Sequence, residues 1–175
     1  MSASTGPLAG VKVLELGTLI AGPFAARFMG EFGADVIKIE DPNGGDPLRK
    51  WRKLYPEVGG TSLWWAVQAR NKRSVTVNLK SDEGREIVRR LAKEADIVVE
   101  NFRPGLLEKL GLGYEVLSAE NPGLVMVRLS GARNQMANAS DVTAAIPSPV
   151  ATQGIRDDRP ARNRRRSRAK SSATL

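Results

Sequence analysis

A run of β-branched residues without alternation, Ile97-Val98-Val99, constrains this chain more than any other stretch. A half-buried strand alternates apolar and polar residues. An unbroken apolar run belongs to a strand covered on both faces, as in a parallel sheet packed between helices. The run ends in Glu100-Asn101-Phe102, and Arg103-Pro104-Gly105 leads into a helical pattern from Leu106 to Leu110, with proline placed near the helix start. Ligands of open α/β sheets sit just beyond the carboxyl ends of the strands. There Asn101 offers an amide and Phe102 a flat ring, while Arg103 and the following helix N-terminus suit an anion.

The rest of the chain repeats the same grammar. Val11 to Leu16 reads as a first strand, ended by Gly17, and Pro23 opens a helix to about Phe32 that Gly33 closes. Ala25 and Ala26 permit close packing, and Phe24, Phe28, Met29 and Phe32 fall on or near one face. Asp35 to Glu40 is a second strand, so the opening is a β-α-β unit of the kind that builds parallel sheets. Residues 41 to 60 form a Pro- and Gly-rich loop holding Asp46, Arg49, Trp51 and Arg52. A short helix around Ser62 to Ala69 precedes a third strand, Val75 to Leu79. Ser81 is placed to cap a helix from Asp82 to Ala95, with acids in its first turn and Ile87, Val88 and Leu91 as its buried stripe. Leu124 to Leu129 is the last strand.

Composition narrows the chemistry. The 175 residues contain no cysteine and no histidine, which excludes disulfides, thiolate and imidazole chemistry and His metal sites. No apolar run reaches membrane-spanning length and the N-terminus lacks a signal-peptide pattern, so the expectation is a cytoplasmic protein without a membrane partner. Residues 1–131 carry a net charge of +2 and residues 132–175 carry +6. The second segment is rich in Ala, Ser, Arg, Asn and Pro, lacks aromatic residues and has too little apolar surface to offset its ordering entropy. It is expected to be a disordered basic tail.

Five pieces occur in order: Leu8 to Leu16, Ala21-Gly22-Pro23, Gly33 to Glu40, Asn71-Lys72-Arg73-Ser74 and Val99 to Gly105. Together they resemble the N-terminal lobe of the family III coenzyme-A transferases, which include formyl-CoA and carnitine CoA-transferases and alpha-methylacyl-CoA racemase. The resemblance covers about Pro7 to Gly131. It implies a Rossmann-like α/β lobe with a mostly parallel sheet that takes coenzyme A or an acyl-CoA as substrate, with no metal. Thr18, Leu19, Ile20 and Ala21 match the loop along the pantetheine arm. Val77, Lys80, Asn101, Phe102 and Lys109 match positions near the nucleotide, where lysines suit phosphates and a phenyl ring suits adenine. Asp41 stands where formyl-CoA transferase has a basic residue. NAD is not expected, because the first turn lacks Gly-x-Gly-x-x-Gly.

The family moves CoA between an acyl-CoA and a carboxylic acid through an aspartyl-CoA thioester. Its nucleophilic aspartate lies beyond the Leu-Ser-Gly that corresponds to Leu129-Ser130-Gly131. The acids of this chain past that point, Asp141, Asp157 and Asp158, lack the family's surroundings, so no catalytic residue is assigned. The racemase branch uses a histidine and an aspartate, and no histidine is present. The tail starts abruptly and its residues have GC-rich codons, which suggests a frameshift that leaves a truncated, inactive CoA-binding fragment. The family's interlocked homodimer would then lack its threading segment. A native tail binding nucleic-acid phosphates is the alternative, against which stands the absence of aromatics for base stacking.

Overall fold

Parallel pairing around one central strand organises the molecule, whose computed structural model describes residues 5–129. The expectations about residues 132–175 lie outside the described residues. Along the chain run β1 (Lys12–Glu15), α1 (Ala21–Glu31), β2 (Asp35–Glu40), the short β3 (Leu54–Tyr55) and β4 (Thr61–Ser62), and α2 (Leu63–Gln68). Then come β5 (Lys72–Thr76), α3 (Asp82–Lys93), β6 (Ile97–Glu100), α4 (Leu106–Lys109), α5 (Tyr114–Glu120) and β7 (Val125–Arg128). Five strands form one sheet in the order β5-β2-β1-β6-β7, parallel at every pairing. β3 and β4 pair antiparallel in a separate ribbon.

The unbroken Ile-Val-Val run does lie inside the sheet, between β1 and β7, with Val98 and Val99 fully buried. Its two faces meet different layers. Val98 joins Leu14, Ile39, Val88, Leu112, Leu117 and Met126 beneath α3 and α5, whereas Val99 joins Val13, Ala26, Ala34 and Val36 beneath α1. Ser81 accepts the Gly84 N–H at 3.1 Å and so caps α3 as expected. Gly33 adopts φ +104 after α1, a conformation that suits glycine.

Three expectations need correction. The third strand starts at Lys72, three residues before the apolar run, because residues 72–76 pair with Val36–Glu40 and the Lys72 ammonium finds a buried carboxylate. Of the expected stripe of α3, Val88 is buried and Leu91 packs against the core, but Ile87 is exposed. Gly84 and Ala92 are buried in its place, because the small residues let this helix lie close to the sheet. On α1 the buried residues are Gly22, Pro23 and Ala26. Phe24, Phe28 and Phe32 do share one face, as expected, and it is turned outward, with neighbouring rings tilted against each other and centroids 5.6 and 5.5 Å apart. The helix after Pro104 is a single turn of four residues, too short to carry the anion-attracting dipole first assigned to it.

Candidate functional site

β1 and β6 are neighbours, but their following connections leave toward α1 on one face of the sheet and toward the opposite face for β6, a topological switch point. The β1–α1 loop starts at Gly17. A Cβ on Gly17 would lie 2.8 Å from the Gly22 Cα, and one on Gly22 would lie 2.8 Å from the Gly17 Cα. Only two glycines allow the chain to fold back this closely. Between them, the Thr18 N–H donates to Asn101 Oδ1 at 2.7 Å, and Asn101 Nδ2 donates to the Thr18 carbonyl at 2.8 Å. Leu19 has φ +63, in the left-handed region, and its N–H donates to Asp46 Oδ1 at 3.2 Å. Ile20 and Ala21 are exposed at the start of α1.

Beneath this loop lies a cluster of charges on the α1 face of the sheet. Lys38 Nζ is 2.8 Å from Glu15 Oε1, 2.8 Å from Asp46 Oδ2 and donates to the Gly17 carbonyl at 2.8 Å. Lys72 Nζ is 2.7 Å from Glu15 Oε2 and donates to the Pro23 carbonyl at 2.7 Å. Glu15, Lys38 and Asp46 are all at most 2 % exposed. Register explains the meeting: Glu15 pairs with Lys38, so both side chains leave the parallel sheet on one face. Burial pulls the Lys72 pKa down, and the Glu15 carboxylate opposes it.

Two residues further along β2, Glu40 accepts from Arg49 Nε at 2.7 Å, from Arg49 Nη2 at 2.9 Å, from the Asp46 N–H at 2.8 Å and from the Ser74 hydroxyl. Burial pushes this carboxyl up, but the hydrogen bonds from Arg49, Ser74 and Asp46 together outweigh burial and bring its pKa to about 2. The Arg49 guanidinium also lies 3.8 Å from the centre of the Trp65 ring. The loop between β2 and β3 is thereby tied to the sheet and to α2.

The other residues singled out from sequence are spread along the carboxyl edge. Val77 follows β5 with its side chain in the core, 5 % exposed, and its N–H donates to the Glu40 carbonyl. Lys80 is exposed on the turn before α3, with its N–H donating to Asn78 Oδ1 at 3.0 Å. Phe102 packs against the larger core cluster, and its N–H donates to Glu100 Oε2 at 2.8 Å. Lys109 is exposed at the end of α4. Thr18 and Asn101 thus meet directly. Val77, Lys80 and Lys109 share the edge without a contact to that pair.

A cavity of about 260 Å³ lies elsewhere, lined by Lys12, Asp35, Ile37, Arg73, Leu91 and Glu94 among others. It opens at the amino ends of the strands and includes none of the residues above. Among the described residues, no group of three or more His, Cys, Asp or Glu is placed to hold a metal ion. No helix among them is long and apolar enough to cross a membrane.

Residues 8–164 match the family model described as CoA-transferase family III. The chain belongs to this family. Among the family III relatives it resembles, it is 54 % identical over 126 residues to a succinyl-CoA–D-citramalate CoA-transferase of Chloroflexus aurantiacus, covering 71 % of this chain and 31 % of that protein. It is 43 % identical to the succinate–glutarate CoA-transferase of Agrobacterium fabrum, covering 71 % and 32 % of the two proteins. A crystal structure of a CAIB/BAIF family protein from Brucella suis superposes with a TM-score of 0.64 at 44 % identity, over 70 % of this chain and 33 % of that one. Rv3272 from M. tuberculosis gives 0.67 at 39 % identity, over 73 % and 35 %. The chain therefore spans about a third of the length of the relatives it matches.

The family III resemblance pointed to the loop and to Asn101, but not to what fixes them. Glu15, Lys38 and Lys72 were read as strand or turn residues without a role, and Asp46 only as one charge in a long loop. A single signal was available: three charges toward the carboxyl ends of neighbouring strands, Glu15, Lys38 and Glu40, interleaved with apolar residues.

Proposed function

We propose that this lobe binds the coenzyme A moiety of an acyl-CoA for a family III CoA-transfer reaction, with Thr18 to Ala21 along the pantetheine arm. The observation that carries this reading is the reciprocal Asn101–Thr18 pair, which brings the two segments assigned to CoA together at the switch point between β1 and β6. The Asn101 amide has its oxygen and one N–H engaged by the Thr18 peptide, so its part is to shape the loop. The ligand is left the exposed edge of Ile20 and Ala21. Phe102 offers a ring edge for adenine, and Lys80 and Lys109 are exposed cations that suit phosphates.

The relatives named above are succinyl-CoA and succinate–glutarate CoA-transferases, which favours transfer over the racemase branch and short dicarboxylic acids as the acids exchanged. In that reaction a carboxylate attacks the acyl-CoA thioester carbonyl to give a mixed anhydride and free CoA thiolate. The thiolate attacks the enzyme-side carbonyl of that anhydride and expels the donor acid to leave an enzyme–CoA thioester, and the acceptor acid takes the CoA by the same two steps in reverse. Among Asp141, Asp157 and Asp158 none is assigned that role, so the 175-residue chain alone is read as a CoA binder that does not turn over.

The experiment is a calorimetric titration of the purified 175-residue protein with CoA, beside an assay for transfer from succinyl-CoA to glutarate. Binding of CoA without transfer is the expected outcome. Absence of CoA binding would sink the reading of the lobe, and measurable transfer would sink the reading of the chain as non-catalytic.

A further inference from the structure

We infer that the buried quartet Glu15, Lys38, Asp46 and Lys72 acts as a positioning device for the β1–α1 loop and so sets coenzyme A affinity without touching the ligand. The inference rests on the CoA-binding reading above.

Four charges under a loop are a costly way to fill space, because each must be stripped of water, and apolar residues of similar volume often do as well or better. What apolar residues cannot do is hold backbone polar groups. Each member except Glu15 does so here. Lys38 takes the Gly17 carbonyl at 2.8 Å, Lys72 takes the Pro23 carbonyl at 2.7 Å, and Asp46 takes the Leu19 N–H at 3.2 Å. Glu15 stands between the two ammonium groups and satisfies both, at 2.8 and 2.7 Å. Two carboxylates against two ammonium groups leave the cluster neutral, as a cluster this dry requires.

The loop needs such holding. Leu19 sits at φ +63, a strained conformation for a residue with a Cβ, which persists only where its surroundings enforce it. Asn101 fixes the peptide before it and Asp46 fixes its own N–H, from opposite sides. With Gly17 and Pro23 tied to lysines as well, the four residues assigned to CoA are anchored at both ends and at the middle. Ile20 and Ala21 then face solvent by construction.

The test uses the full 175-residue chain, with amide hydrogen exchange followed residue by residue and calorimetric titration with CoA. Asp46→Ala removes the acceptor of the Leu19 and Leu48 N–H groups and the second carboxylate beside Lys38. It is expected to speed exchange at Leu19 at least about tenfold, leave α3 amides unchanged, and raise the CoA dissociation constant at least about tenfold. Asp46→Asn keeps the acceptor for Leu19 but takes the charge from beside Lys38, and should show a smaller loss in the same direction on both readouts. It carries the same comparison if Asp46→Ala does not fold. Leu112→Ala, in the core on the other face, should lower global stability yet leave the CoA dissociation constant unchanged. An Asp46→Ala loop as protected as the wild type would overturn the inference, as would a loosened loop that binds CoA equally well. If the wild type binds no CoA, the functional reading fails on its own, and the exchange arm still decides whether the quartet holds the loop.

Discussion

Asn101 and Thr18 exchange two hydrogen bonds across 83 residues of sequence, and through them the loop after β1 and the turn after β6 become one unit. A side-chain amide can do this because it carries a donor and an acceptor spaced like those of a peptide group. Asn101→Ala should cost about 1–3 kcal/mol in urea unfolding, the penalty for leaving the two Thr18 groups unpaired. Asn101→Asp should cost at least as much, since a carboxylate accepts the Thr18 N–H but repels the Thr18 carbonyl. A smaller loss for Asp than for Ala would contradict this account.

The contact between Gly17 and Gly22 leaves no room for a methyl group. Gly22→Ala is expected to destabilise by about 1–3 kcal/mol, because backbone rather than a flexible side chain must shift. Gly10→Ala is the useful contrast: its Cβ would meet nothing, so only the strain of φ +90 is felt there. Thermal denaturation of the two variants separates crowding from strain.

Glu40 gives the fold a defined acid limit. Its pKa falls from the ordinary 4.5 to about 2 on folding, so the unfolded chain binds the proton first as pH drops. The stabilisation is complete above about pH 5 and is lost as pH falls from there toward 2, an amount of about 3 kcal/mol. Glu40→Gln should flatten stability against pH in that window while lowering it at pH 7. An unchanged pH profile in Glu40→Gln would show that Glu40 is not the group responsible.

Glu100 works in the opposite sense. Burial raises its pKa, against the opposing pull of the Phe102 N–H and Arg128. The folded state therefore holds the proton more tightly than the unfolded chain, and stability falls as pH rises from the unfolded value through the folded one. Glu100→Gln keeps an acceptor for the Phe102 N–H and removes the buried charge. It should remove that decline and make the protein at neutral pH at least as stable as the wild type, read by urea midpoints at pH 4 and pH 7.

The aromatic row on α1 and the core on the far side respond differently to truncation. Leu112, 0 % exposed, should cost about 2–5 kcal/mol as Leu112→Ala. Phe28, 45 % exposed, should change stability far less as Phe28→Ser, and the visible effect should be weaker binding of a hydrophobic dye such as ANS. Equal losses from both would mean that the row is covered in solution.

Legibility in the sequence followed local chemistry. β2 was read with its observed ends, Asp35 and Glu40, because an apolar strand between a glycine turn and a Pro-Gly loop leaves little choice. The Ser81 cap and the burial of Val98 and Val99 were equally readable. β5 was misplaced because four of its five residues are exposed and its pairing with β2 comes from a distant segment. The sequence put the phenylalanines of α1 on one face without saying which way it points, and the close approach of Gly22 and Ala26 to the sheet turns that face outward. In the site, Asn101 and the loop were visible through the family pattern. The buried quartet was not, since a lysine between isoleucines reads as a strand residue until Glu15 is known to stand beside it.

The place of β1 at the centre of the sheet also sets a timetable. β2 can pair with β1 soon after synthesis, but its other neighbour, β6, is made far later: the 83 residues from Thr18 to Asn101 take a ribosome roughly 4 to 17 s. During that interval one long edge of β1 has no strand beside it, and the Thr18 peptide has no amide to meet. The nascent chain depends on whatever shields that edge, so pausing between codons 20 and 97 would be harmful while pausing after β7 would not.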